Sequence, residues 1–220
     1  MLGASMLDLV RKSRFADRTA AGAELGRQLV MSRLTDPVVL GLARGGVVVA
    51  AEVARTLGAD LDVLVVRKIG HPRQPELGLG AIAEGGDPVY DDVGLRAVGL
   101  TRDDLADVVA TESAECERRV ATYRGGRPAT EVAGRTVVVV DDGVATGVTA
   151  RAALRSLRGR GVGRLVLATP VATLTALAGL RQDADEVVSL LVPAHLEAVS
   201  RWYDVFDQTG DAEVRRLLRG

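Results

Sequence analysis

The sequence predicts an α/β fold, a doubly wound parallel sheet of five strands with helices on both faces, in a single domain over residues 1–220. Three observations carry this. Apolar, β-branched-rich runs recur at residues 38–43, 61–67, 136–140, 164–169 and 186–191. Helical patterns lie between most of them, and alternating strand and helix implies right-handed crossovers in a parallel sheet. Residues 137–140 are four consecutive valines, which cannot alternate between core and water and therefore suit a strand covered on both sides.

In chain order, a helix is expected over residues 17–33, then the first strand at 38–43 and a helix at 47–57. The second strand, 61–67, runs into IGHPRQPELGLGAIAEGGDPVYDD, residues 69–92, which prolines and glycines punctuate. This stretch reads as a long irregular, flexible loop or small flap, because such insertions in compact domains are commonly functional. Its Ala81-Ile82-Ala83 is too short for a full strand. A helix at 101–123 precedes the strand at 136–140. Helices at 148–158 and 172–180 then alternate with strands at 164–169 and 186–191. The C-terminal region, residues 193–220, is left as a small hood or a cover for the sheet edge. A doubly wound sheet binds ligands beyond the carboxyl ends of its strands, near the switch point. That rule gathers Arg44, Lys68 and Asp141 around one crevice.

Composition narrows the function. A formal net charge of −1 gives no reason to expect a nucleic-acid surface or an anionic membrane. The single cysteine, Cys116, allows no internal disulfide and fits a reducing cytoplasm. No signal peptide or membrane span is evident. Asparagine is absent, and Lys12 and Lys68 are the two lysines among 28 basic residues. A GC-rich coding bias explains this and draws attention to each lysine that remains.

Residues 137–149, VVVVDDGVATGVT, are the most informative run. Two carboxylates stand where a buried strand ends, followed by a glycine-bracketed turn, Gly143 to Gly147, and a new helical pattern. Backbone N–H groups of such a turn point at an anion, glycines permit its close approach, and the helix dipole favours negative charge. Asp141 and Asp142 cannot hold that phosphate, so they suit neighbouring hydroxyls. Phosphate and diol side by side describe a ribose 5-phosphate.

The run resembles the PRPP-binding signature of type I phosphoribosyltransferases, with four apolar residues, two acids and a small-residue turn ending in Thr-Gly-x-Thr. Gly143 departs from the pattern, since many members carry a bulkier aliphatic residue there. The resemblance implies that Asp141 and Asp142 contact the ribose hydroxyls. Thr146 and Thr149 would then meet the 5-phosphate beside the backbone amides of Val144, Ala145 and Gly147. It also implies magnesium carried by PRPP, largely through water and substrate oxygens, so no residue is assigned as a direct metal ligand.

Arg44-Gly45-Gly46 follows the first strand. Alone it describes an ordinary strand–helix turn; beside the signature it resembles the family's pyrophosphate loop, with Arg44 as a bidentate-capable cation. Arg67-Lys68 is either a solvated basic strand end or, by resemblance, the pair that approaches pyrophosphate. Breaking the C1–O bond of PRPP builds negative charge on the leaving group, which Arg44 and Lys68 with magnesium could neutralise. A closing loop would keep water from taking the sugar.

Other residues narrow the reading. Ala145 stands where some 6-oxopurine members carry an aspartate, so no acid–base group is available there. Trp202 and Phe206, four apart, would share a helix face as a base-stacking hood or a hydrophobic staple. His71 and His195 lack metal-ligand spacing, and Cys116 lacks a partner histidine. The expected function is transfer of ribose 5-phosphate from PRPP to a nitrogen nucleophile, a nucleobase of unassigned identity, with release of pyrophosphate. A non-catalytic PRPP or nucleotide sensor, and a hydrolase or phosphorylase on the same fold, stand as alternatives. A homodimer is expected from the family.

Overall fold

The computed structural model describes residues 14–219, so Lys12 lies outside the described residues. In chain order the elements are α1 (Arg18–Val30), β1 (Pro37–Leu42), α2 (Gly45–Leu57), β2 (Asp60–Leu64), β3 (Val66–His71), β4 (Gln74–Ala83), β5 (Val89–Tyr90), α3 (Asp92–Val98), α4 (Ala106–Arg124), β6 (Thr136–Val140), α5 (Val148–Arg158), β7 (Arg164–Val171), α6 (Leu174–Leu180), β8 (Glu186–Leu191) and α7 (Asp211–Leu217).

Five strands form one parallel sheet in the order β2-β1-β6-β7-β8. The chain winds outward in one direction from β1 and in the other from β6, so the switch point lies between these two strands. The valine run obeys the two-residue period of a strand. Val137 and Val139 pack with Leu154 and Leu157 of α5 and Leu177 and Leu180 of α6. Val138 and Val140 face the other way, onto Leu25 and Leu29 of α1 and Val49 and Val53 of α2. Each such leucine contributes about 1.5–3 kcal/mol by leaving water. Helix α1 lies close against α2, because a Cβ on Gly22 would meet the Val49 carbonyl oxygen at 2.6 Å. No helix among the described residues is long and apolar enough to cross a membrane.

The expected second strand, 61–67, divides. The parallel strand stops at Leu64, and Val66 begins β3 of a separate antiparallel sheet ordered β3-β4-β5. The segment 69–92, expected to be irregular, is therefore largely hairpin. Ala81-Ile82-Ala83 is the buried end of the ten-residue strand β4. The glycines that suggested a loop mark close backbone approach at irregular pairing. Gly70 sits where the β3–β4 register shifts, and a Cβ there would collide with the Pro75 carbonyl oxygen. A Cβ on Gly80 would lie 2.6 Å from the Val89 carbonyl oxygen.

A buried charge cluster fixes this hairpin to the main sheet. Arg124, at the end of α4, bonds Asp62 of β2 through Nε at 3.1 Å and the Val63 carbonyl through Nη2 at 2.8 Å. Its Nη2 also reaches Glu84 Oε1, just past β4, at 2.8 Å. Glu84-Gly85-Gly86, read as a hinge or surface turn, is thus a turn whose acid is anchored inside. The C-terminal expectation also changes. A 3-10 turn at Val199–Trp202 is followed by non-helical chain up to α7. Trp202 and Phe206 therefore do not share a helix face.

Candidate functional site

The carboxyl ends of β1 and β6 and the middle of β3 converge on a cavity of about 310 Å³. It is lined by Arg44, Gly45, Lys68, Asp141, Asp142, Gly143, Val144, Ala145, Thr146, Gly147 and Thr149, with Ala43, Ala150 and Val199. Gly46 lies beneath it. A Cβ there would meet the Val140 carbonyl oxygen at 2.7 Å and Asp141 Cα at 3.0 Å, so the α2 N-terminus can approach β6 only without a side chain.

The two carboxylates have different surroundings. Asp141 is half-buried, and its Oδ1 accepts the backbone N–H of Asp142 at 2.9 Å. Burial and then the neighbouring Asp142 charge hold the Asp141 carboxyl well above the usual carboxylate range, against the opposing pull of Lys68. Asp142 is ion-paired: Arg18 Nε, from the first turn of α1, donates to its Oδ2 at 2.8 Å. The Tyr203 hydroxyl donates to the Asp142 carbonyl oxygen at 2.5 Å. Arg18 escapes the sequence reading because it belongs to no motif. Arg18 looks like one more arginine in a chain biased toward arginine.

Beyond the acids the chain turns into α5 through Gly147, whose φ of +81° favours glycine. One expected phosphate donor is otherwise engaged: the Val144 N–H donates to the Val171 carbonyl oxygen at 2.9 Å. This bond, with Thr173 Oγ1 donating to the Ala145 carbonyl at 2.8 Å, fastens the turn to β7 and α6. The N–H groups of Ala145, Thr146 and Gly147 have no acceptor among the described residues. Val148, Thr149 and Ala150 open α5, where N–H groups have no intrahelical partner. Together they form an anion cradle at a helix N-terminus. Gly143 has its own explanation: a Cβ there would collide with Val199 Cγ1, so the 3-10 turn fills space that a larger residue would claim.

Arg44 approaches Asp211 of α7, Nη1 to Oδ1 at 3.7 Å. Lys68 is exposed and lines both this cavity and an adjoining one of about 720 Å³. Arg67 lines the larger cavity only, with its Nε on Glu112 Oε2 at 2.7 Å. His71 is placed there too, its Nδ1 accepting the Arg73 N–H at 3.0 Å. Cys116 is buried, and burial pushes its thiol up to about 11, far from nucleophilic use. His195 lines a separate cavity beside Ala145 and Thr146. Trp202 lies outside the 310 Å³ cavity, so the C-terminal aromatics place no ring in that cavity.

Comparison with known proteins shows the family to which the chain belongs. Two curated relatives from strains of Mycobacterium tuberculosis, each named "Putative phosphoribosyl transferase", are 46% identical over 204 residues. The match covers 93% of this chain and 46% of theirs, so the chain spans under half the length of those relatives. A Thermus thermophilus protein of known crystal structure, TT1426, is 45% identical with a TM-score of 0.79, covering 93% of this chain and 97% of that one. A Neisseria gonorrhoeae hypothetical protein, crystallised with bound ppGpp, shares the fold at 14% identity and TM-score 0.51, covering 94% and 93%. The family model described as the phosphoribosyl transferase domain matches residues 14–197, which include every residue lining the cavity except Val199. By that match, the chain belongs to the phosphoribosyl transferase family.

Proposed function

We propose that this protein moves ribose 5-phosphate from PRPP to a nitrogen nucleophile, a nucleobase being the expected acceptor, with release of pyrophosphate. The observation that carries the reading is the convergence, in one cavity, of an anion cradle, an acidic pair and two cations from separate elements. The amides of residues 145–147 and the α5 N-terminus suit the 5-phosphate. Asp141 and Asp142 suit the ribose hydroxyls. Arg44, Gly45 and Lys68 suit the departing pyrophosphate.

In this reading the nitrogen lone pair forms a bond to C1 as the C1–O bond breaks, and the bonding pair leaves on pyrophosphate. Lys68 and Arg44 neutralise charge that grows as the bond lengthens, so their effect is larger in the transition state than in the ground state. Hard carboxylate oxygens at Asp141 and Asp142 fit the bound waters of a magnesium ion that arrives with PRPP. When bound, it would supply charge neutralisation on the leaving group. The absence of a side-chain base at Ala145 favours acceptors that need no proton managed there. The β3–β4 hairpin walls the cavity on the Lys68 side and would limit water at the reacting carbon.

The test measures pyrophosphate release after mixing the protein with PRPP–magnesium and a panel of nucleobases. Release that depends on a base supports the proposal. PRPP loss without a base points to a hydrolase, and PRPP binding without turnover points to a sensor. An Asp141→Asn, Asp142→Asn double variant should bind PRPP–magnesium at least about tenfold more weakly, since charge-assisted hydrogen bonds are worth roughly 1.5–3 kcal/mol each.

A further inference from the structure

The ion pair at Asp142 is itself held in place. Arg18 donates through Nε to Asp142 Oδ2 at 2.8 Å and through Nη1 to the Asp207 carbonyl oxygen at 2.8 Å. Its guanidinium carbon lies 3.7 Å from the centre of the Phe206 ring. Phe206 packs on Tyr203 at 4.9 Å between ring centres, and Tyr203 packs on Phe15 at 5.5 Å. Tyr203 in turn donates to the backbone carbonyl of the same Asp142. The paired side chains of Arg18 and Asp142 are only 11% and 17% exposed. A Cβ on Gly45 would collide with Asp142 Oδ2 and lie 2.8 Å from Arg18 Nε, so that glycine makes room for the pair.

A guanidinium fixed by a carbonyl, a ring and a carboxylate leaves Asp142 little rotameric freedom. Arg18 occupies Oδ2, so a ligand hydroxyl would be met through Oδ1. We propose that Arg18 is a positioning residue that aims Asp142 at one hydroxyl of the ribose diol, so that the site distinguishes ribose from deoxyribose phosphates. This inference rests on the ribose-phosphate reading of the cavity, and the experiment separates the two.

Calorimetric affinities are compared for ribose 5-phosphate and its 2-deoxy and 3-deoxy analogues in wild type, Arg18→Gln and Tyr203→Phe, with melting temperatures alongside. Wild type should prefer ribose 5-phosphate over at least one analogue by about tenfold or more, the worth of one charge-assisted hydrogen bond. In Arg18→Gln that preference should fall to about threefold or less, while the affinity for the disfavoured analogue stays unchanged, because the phosphate cradle is untouched. Tyr203→Phe keeps the ion pair and should lose part of the preference. A wild type that binds none of the sugars and no PRPP–magnesium sinks the functional reading itself. Binding with preserved preference in folded Arg18→Gln overturns the positioning role, and so does an equal loss of affinity for all three sugars. If Arg18→Gln does not fold, an unchanged preference in Tyr203→Phe overturns it.

Discussion

Lys68 and Arg44 line the same cavity with different attachments. Lys68 is exposed, whereas Arg44 sits at the α2 N-terminus near Asp211. Lys68→Ala should therefore lower turnover more than it weakens PRPP binding, and Arg44→Ala should lower both; steady-state kinetics with a titration of PRPP separates them. Lys68→Arg should keep only part of the activity, since a guanidinium is bulkier and geometrically fixed. Asp141 gives a stability test. Its raised pKa means the folded state holds a proton that the unfolded state has released, so stability falls as pH rises from the unfolded value through the raised one. Asp141→Asn should remove that loss, raising the melting temperature near pH 7 while weakening PRPP binding; a melting temperature below wild type would contradict it. The residues of the 141–149 run were legible because their chemistry is contiguous in sequence. Arg18 was not, because its partner lies 124 positions away.

At the scale of elements, the central parallel strands were legible because burial on both faces leaves nearly unbroken apolar runs. The β3–β4 hairpin was not. Its prolines and glycines serve bulges and close strand approach, and those residue types also signal loops. The hairpin is joined to the sheet through Arg124, only 8% exposed, between Asp62 and Glu84. Arg124→Met would leave Asp62 without its cation and Glu84 with only Arg160, 3.7 Å away. The expected cost is about 3–5 kcal/mol, read as a lower midpoint in urea unfolding. An Arg124→Met variant as stable as wild type would mean that the cluster does not fasten the hairpin. The same anchoring makes Lys68 part of a wall tied to the sheet, where the sequence suggested the root of a free loop.

At the scale of the molecule, we propose a two-fold homodimer, as the family resemblance implies. Light scattering at micromolar concentration should give about twice the chain mass of 23.1 kDa, and a monomer mass would refute it. The whole assembly is least legible in sequence, because contacts between distant segments leave no local pattern.

The meeting of Phe15 with Tyr203, and of Arg18 with Asp207, gives the molecule an order of assembly. The sheet's central pair, β1 and β6, can register once residue 140 has emerged during synthesis. Asp142 must wait for partners up to residue 207 before its side chain is held. Synthesis at roughly 5–20 residues per second makes that delay several seconds. Once residue 173 has emerged to fasten the turn, a nascent chain would carry a phosphate cradle beside an unaimed acid. Sugar selectivity would then follow phosphate binding as the site folds.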